Sequence, residues 1–310
     1  VDNCVDAGAT TVWIDIIPST VAKQGGGTKK VIDTESLYYI ADNGCGMNEK
    51  ALLQAMTIGS DSGHDPTIDL GKFGVGLKQA CLGLAKTFTV LTKEKDCELI
   101  RSTFSCDQVV LEGKLGVSRP SLASTKEQDF FNKVTKNSAS GTVVVLSSLD
   151  RFGVSDPSSF KNTMKGPNHL ARTFRFMLAG RLKIFVGSSS RQAQVTPVDP
   201  CHWDSKDTTQ YTPGWVKLDV GGPNPGEVSY RISRNGGLLK GGKRKGQGVC
   251  WIRNQREIKT ETIPELWSAS ERTVGLFVEI KFTGDVLDEA INLTTRKDNV
   301  KPGQDLLDKL

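Results

Sequence analysis

A chain of 310 residues exceeds one ordinary core and falls short of three, so two domains are expected. Its 37% hydrophobic and 24% charged residues are those of a soluble globular protein, and with no apolar run near the roughly 18 residues of a membrane span they exclude a helical membrane protein. A net charge of +5 is far from a histone-like excess, and seven scattered cysteines without a CxxC pair read as reduced, mostly buried thiols of an intracellular protein, cytoplasmic or nuclear.

TTVWIDI (10–16) and SLYYIAD (36–42), rich in β-branched and aromatic residues, predict two strands of a hairpin joined by the Gly-rich, Lys-ended GGGTKK. The stretch 48–58 has helical spacing, with Asn48 placed as its cap and Leu52, Leu53 and Met56 on one face. A polar segment, 59–69, leads through LGKFGVGLKQA into a second helix, LKQACLGLA. Strands are then expected at TFTVLTKEK (87–95), CELIRSTF (97–104), DQVVLEG (107–113) and GTVVVLSSL (141–149). The result is an α+β layer structure with helices early and an antiparallel sheet late.

The turn-rich RFGVSDPSS places a boundary at 150–156, hence domains at 1–152 and 153–310. Beyond it, 160–182 predicts one or two helices interrupted at Gly166-Pro167. LKIFVG follows as a strand, and WVKLDV, EVSYRIS, GVCWIRN and TVGLFVEIKF as four more.

Four short motifs carry chemistry. VDNCVDAGA holds Asn3 and the Asp6-Ala7 pair, and alone is a polar helix terminus. ADNGCGM (41–47) puts the Asp42 carboxylate at a strand end, with Gly44 and Gly46 freeing the backbone to turn beside a flat ligand. A buried Asp there accepts a hydrogen bond from the exocyclic amine of adenine, where guanine offers a carbonyl instead; a lone DxGxG is equally a turn. Gly71, Gly74 and Gly76, running into a helix, either cradle phosphate oxygens with backbone N–H groups or form a hinge. Thr142, in Ser140-Gly141-Thr142, either supports carboxylate and base or simply starts a strand.

In order and spacing these motifs resemble the nucleotide-binding (Bergerat) fold of the GHKL superfamily, named for gyrase, heat-shock chaperone, histidine kinase and MutL proteins. The resemblance covers about residues 1–150. It implies an α/β sandwich that binds ATP and Mg2+, followed by a smaller α+β transducer-like domain. It further implies that Asn3 ligates magnesium, with Asp6 and Ala7 completing its motif, that Asp42 reads adenine, and that Gly44, Gly46 and Met47 turn beside the base. Gly71, Lys72, Phe73, Gly74, Val75, Gly76 and Leu77 match the ATP lid, Lys78 a basic residue near the phosphates, and Thr142 the distal strand threonine.

INLTTRKD, near the other end, resembles the segment that delivers a cation to the γ-phosphate in large heat-shock chaperones and, more loosely, in MORC ATPases. Arg296 is the first candidate and Lys297 the next, neutralising charge on the transferred phosphoryl group; a solvated pair with Asp298 is the alternative. The family's general base, a Glu four residues before the motif Asn, would fall before Val1. A longer native chain is therefore expected, since without that carboxylate ATP would bind but water would not be activated.

Two rival patterns are weaker. GLLKGGK (237–243) fits GxxxxGK, but Arg244 stands where a P-loop needs Ser or Thr. It reads instead as a basic hairpin loop in which Arg234, Lys240, Lys243, Arg244 and Lys245 either meet nucleic-acid phosphates or stay solvated. His64, His169 and His202 read as structural, and Cys201-His202 lacks a second ligand pair for zinc. The function expected is a magnesium-dependent ATPase with ATP-gated homodimerisation, MORC-like or chaperone-like, without a membrane partner. The alternatives are a nucleic-acid-binding module with a degenerate, non-hydrolysing pocket, and a GHKL-type protein kinase. The kinase is disfavoured because a second α+β half follows the fold.

Overall fold

The computed structural model describes residues 1–23, 26–57, 70, 76–113, 116–166, 169–187, 192–218, 228–239, 247–263 and 274–283. The chain separates into two compact units, Val1–His64 with Gly71–His169 and Gly180–Thr196, and Asp65–Leu70 with Leu170–Ala179 and Pro197–Leu310.

The first unit contains helices α1 (Asp2–Asp6), α2 (Glu49–Met56), α3 (Gly76–Leu82), α4 (Cys106–Glu112), α5 (Thr125–Thr135) and α6 (Pro157–Lys165). Its strands are β1 (Thr11–Ile17), β2 (Ser19–Ala22), β3 (Thr28–Val31), β4 (Leu37–Asp42), β5 (Thr87–Lys93), β6 (Ile100–Ser105), β7 (Ser121–Leu122), β8 (Gly141–Ser147), β9 (Lys183–Val186) and β10 (Ala193–Gln194). Among the described residues, eight of these strands form one sheet in the order β10-β9-β1-β4-β8-β5-β6-β7. All its pairings are antiparallel except β1 with β9.

β1 is buried from Val12 to Ile16, as a strand covered on both faces must be. On one face Trp13, Tyr39, Ala41, Leu91 and Val143 pack with Phe131 and Val134 of α5. That helix starts on a reciprocal capping box between Ser124 and Glu127, a signal left unread in the sequence. Register sets up the opposite face: Asp42 lies across from Thr142, and Thr142 across from Thr92, a polar row over three adjacent strands.

β1 and β4 pair as expected, but the segment between them is no simple loop, because β2 and β3 form a ribbon of their own. Asn48 caps α2 by accepting the Ala51 N–H at 3.0 Å, and Leu52 and Met56 are buried, whereas Leu53 is 44% exposed and off the core face. The strand expected at 107–113 is α4. Ser105 caps it, and Gly113 ends it in the left-handed region. Its Val110 and Leu111 are exposed, so the apolar run that suggested a strand packs on no sheet.

The second unit has α7 (Leu170–Thr173) and α8 (Arg175–Leu178), with β11 (Thr208–Gln210), β12 (Val216–Leu218), β13 (Val228–Asn235), β14 (Gly248–Arg253), β15 (Arg256–Glu261) and β16 (Leu276–Phe282). It is a second, smaller α+β region. Among the described residues its sheet runs β11-β13-β16-β14-β15, with β12 also on β13, and only β14 with β16 is parallel. Alternation gives the sheet two unlike faces. Val228, Val249, Trp251, Ile258, Ile280 and Phe282 form a hydrocarbon face. Arg231, Cys250, Glu279 and Lys281 lie on the other, in register across three strands.

Candidate functional site

The two leading motifs meet backbone to backbone. α1 ends at Ala7, whose carbonyl accepts the Cys45 N–H at 2.9 Å. Gly44 permits that approach, since a Cβ there would lie 2.8 Å from the Ala7 oxygen and 2.9 Å from its Cβ. The Asn43 amide oxygen accepts the N–H groups of Thr10 and Thr11, fixing the turn against the start of β1.

Asp42 closes β4 at this junction and is 5% exposed. Its Oδ1 accepts from the N–H groups of Gly44 at 2.9 Å and Thr142 at 3.2 Å, and the Cys4 thiol donates to the same carboxylate. Burial holds the Asp42 pKa above the usual carboxylate value despite these donors, and burial likewise keeps the Cys4 thiol protonated.

Thr92 braces this junction from β5. Its Oγ1 accepts the Met47 N–H at 3.0 Å and lies 3.1 Å from the Gly141 carbonyl and 3.0 Å from the Thr142 hydroxyl. A hydroxyl has one proton and two lone pairs. All three contacts are made at once only if Thr92 donates to Gly141 and accepts from Met47 and Thr142. The Thr142 proton is then committed, so beside the Asp42 carboxylate the Thr142 oxygen offers lone pairs. Ser140 completes the brace by donating to the Gly44 carbonyl at 2.8 Å.

The sequence-predicted residues fall into three groups. Ala7, Asp42, Gly44, Gly46, Met47 and Thr142 come together at this junction. Asn3 is exposed and Asp6 half-buried on α1, one turn apart and adjoining it. Gly76, Leu77 and Lys78 begin α3; Lys78 is buried and donates to the Ala55 carbonyl at 2.9 Å, in the last turn of α2. Gly71, Lys72, Phe73, Gly74, Val75, Arg296, Lys297, Lys240, Lys243, Arg244 and Lys245 lie outside the described residues. Arg234, on β13, donates its Nε to the Val274 carbonyl. Cys4 and Thr92 escaped the sequence reading. Thr92 is found only through the β5–β8 register, and Cys4 only by facing the helix that carries Asn3 toward Asp42.

Residues 1–142 match the family model described as histidine kinase-, DNA gyrase B- and HSP90-like ATPase. Over these residues the chain is similar to a GHKL-superfamily ATPase-like domain. The crystal structure of the B-subunit of the DNA gyrase from Myxococcus xanthus is similar to the whole chain, with a TM-score of 0.52 over 98% of this chain and 82% of that one. At 11% identity that likeness concerns the fold alone. No curated protein sequence matches the chain. No described helix is long and apolar enough to cross a membrane.

The second unit gathers charge without such a motif. Glu257 accepts from Arg172 at 2.6 Å and from Arg175. Glu279 accepts from Arg175 at 3.0 Å and from Arg231. Arg175, Glu257 and Glu279 are all buried. Trp203 and Trp215 stack on Arg231, and Lys281 sits over Trp215 and Phe176 with its Nζ 3.8 and 4.1 Å from the ring centres.

Proposed function

We propose that the chain is a magnesium-dependent adenine-nucleotide-binding module of the GHKL type, an ATPase whose nucleotide cycle gates homodimerisation in a MORC-like or chaperone-like manner. The observation that carries the reading is the Asp42–Thr142 pair, one buried carboxylate and one hydroxyl oxygen offered side by side as acceptors. Such an edge calls for a base bearing a donor amine, as adenine does, and leaves a carbonyl facing lone pairs.

Asn3, exposed on α1, presents an amide oxygen, the hard ligand type that magnesium accepts alongside phosphate oxygens. Residues 71–77 would serve as the lid. Lys78 would reach a phosphate only by leaving the Ala55 carbonyl. Arg296, with Lys297 next to it, is the cation assigned to the γ-phosphate, where it would stabilise charge as transfer proceeds.

Calorimetry with Mg-ATP on Asp42→Asn tests the pocket. The amide keeps an acceptor for Gly44 and Thr142 but turns a donor toward the base, so nucleotide binding should be abolished. Undiminished binding removes Asp42 from the site.

A further inference from the structure

Cys201 and Cys250 are 49 residues apart in sequence, yet their sulfurs lie 3.9 Å from each other and both side chains are fully buried. Cys250 sits mid-strand on β14, opposite Glu279. Cys201 comes from the segment before β11, where Asp199 fixes it by accepting the N–H groups of Cys201 at 2.9 Å and Trp203 at 2.8 Å. The Thr260 hydroxyl lies 3.0 Å from the Cys250 sulfur and 2.9 Å from the Glu257 carboxylate, which takes its one proton.

The donor atoms of Asp199, Cys201 and Glu279 lie within 4.8 Å of one another, the spacing of a metal cage. The carboxylates argue otherwise. Both Asp199 oxygens hold backbone N–H groups, and the Glu279 oxygens hold Arg175 and Arg231. What the cluster leaves uncommitted is the sulfur pair itself.

We propose that Cys201 and Cys250 are a modification site, a dithiol that a peroxide converts to a disulfide pinning the Asp199–Trp203 segment to β14. The Cys250 sulfur attacks one peroxide oxygen, the O–O bond breaks, and hydroxide leaves and takes a proton as water. Cys250 becomes a sulfenic acid. The Cys201 sulfur then attacks the Cys250 sulfur, the S–O bond breaks, and a second water carries off the hydroxyl and the Cys201 proton. One peroxide is reduced and two thiols are oxidised.

The surroundings divide the roles. Hydrogen bonding from Cys201 lowers the Cys250 thiol below its ordinary value, against burial and the Glu279 charge and with Arg175 assisting, whereas burial raises that of Cys201. Of the two sulfurs, Cys250 is therefore the more readily deprotonated for attack. Closing the sulfurs from 3.9 Å to a bond also pulls on Trp203, whose ring stacks on Arg231, the partner of Glu279.

The test is graded hydrogen peroxide on the native chain, followed by denaturing alkylation and peptide mapping without reductant. Exposed Cys45 and Cys97 report that oxidant has arrived. The expected result is a linked Cys201–Cys250 peptide pair lighter by two hydrogen atoms and released by a thiol reductant. In Cys201→Ala, Cys250 should instead be captured as sulfenic acid by dimedone. Should Cys201→Ala fail to fold, the wild-type map decides alone. Recovery of Cys201 and Cys250 as alkylated thiols after Cys45 is fully oxidised would overturn the proposal, as would linkage of either one to a different cysteine.

Discussion

Thr92 and Thr142 face each other across β5 and β8 with their hydroxyl oxygens 3.0 Å apart, and this contact makes the Asp42 junction a three-strand construction. Thr92→Val keeps the shape but removes the acceptor for Met47 N–H and the sink for the Thr142 proton. A buried donor losing its partner costs about 1–3 kcal/mol. Urea unfolding should show a loss in that range, and ATP affinity should fall by up to about tenfold, the equivalent of one hydrogen bond. Thr92→Ser should restore both. Unchanged affinity in the valine variant would separate Thr92 from the nucleotide edge.

Burial of the Asp42 carboxyl carries a stability cost that pH exposes. Burial raises its pKa, so between the ordinary value of about 3.9 and the folded value the native state holds a proton that the unfolded chain has lost. Stability from this group is therefore present at low pH and is lost as pH rises through the folded pKa. The amide that replaces the carboxyl in Asp42→Asn does not titrate. The unfolding free energy of this variant relative to wild type should climb across that window in urea titrations at several pH values. A flat difference would mean that the carboxylate is better solvated than its burial implies.

Gly46 is tested by substitution. Its φ is +74°, and a Cβ there would overlap the Lys93 carbonyl, which is backbone and cannot rotate away. Gly46→Ala should cost at least about 2–3 kcal/mol in thermal or urea unfolding, from left-handed strain together with overlap. A loss below about 1 kcal/mol, that of left-handed strain alone, would show that the turn shifts freely.

How far the sequence revealed this architecture follows from where each signal resides. Asp42 with Gly44 and Gly46 is contiguous, because a strand end and the turn that follows it are built from a few adjacent positions. Thr92 had no such marker, since its role depends on β5 lying beside β8, a pairing 50 residues long in sequence. The strand expected at 107–113 failed where local capping by Ser105 and Gly113 overruled β-branched composition. In the second half β9, β12, β13, β14 and β16 were legible, whereas β10, β11 and the polar β15 were not. The joining of Arg175 to Glu257 and Glu279 was not, because ion pairs between distant segments leave no periodicity.

The Arg175 lattice gives an order of effects. Arg175 has a side chain 4% exposed and serves two buried carboxylates, whereas Arg172 is 23% exposed and serves one. Removing one member of a buried charged set costs about 3–5 kcal/mol, because the partner charge stays behind. Arg175→Met should approach that range in urea unfolding, and Arg172→Met should cost less, since water reaches the vacated side of Glu257. Equal losses would refute the ranking by burial.

Lys281 titrates where it can be read directly. Burial lowers its pKa to about 8, with Arg231 and Arg175 adding repulsion against the attraction of Glu279. Competitive acylation followed by mass spectrometry should give Lys281 a midpoint near that value, while exposed lysines follow the ordinary value of about 10.4. The sign for stability is opposite to that of Asp42. Between about 8 and 10.4 the unfolded chain binds a proton that the native state does not, so the Lys281 contribution rises with pH through that interval. Lys281→Met should therefore be more stable than wild type at pH 7, with the advantage shrinking toward pH 10. An advantage constant with pH, or a midpoint matching the exposed lysines, would mean that stacking on Trp215 and Phe176 holds the ammonium charged in spite of its burial.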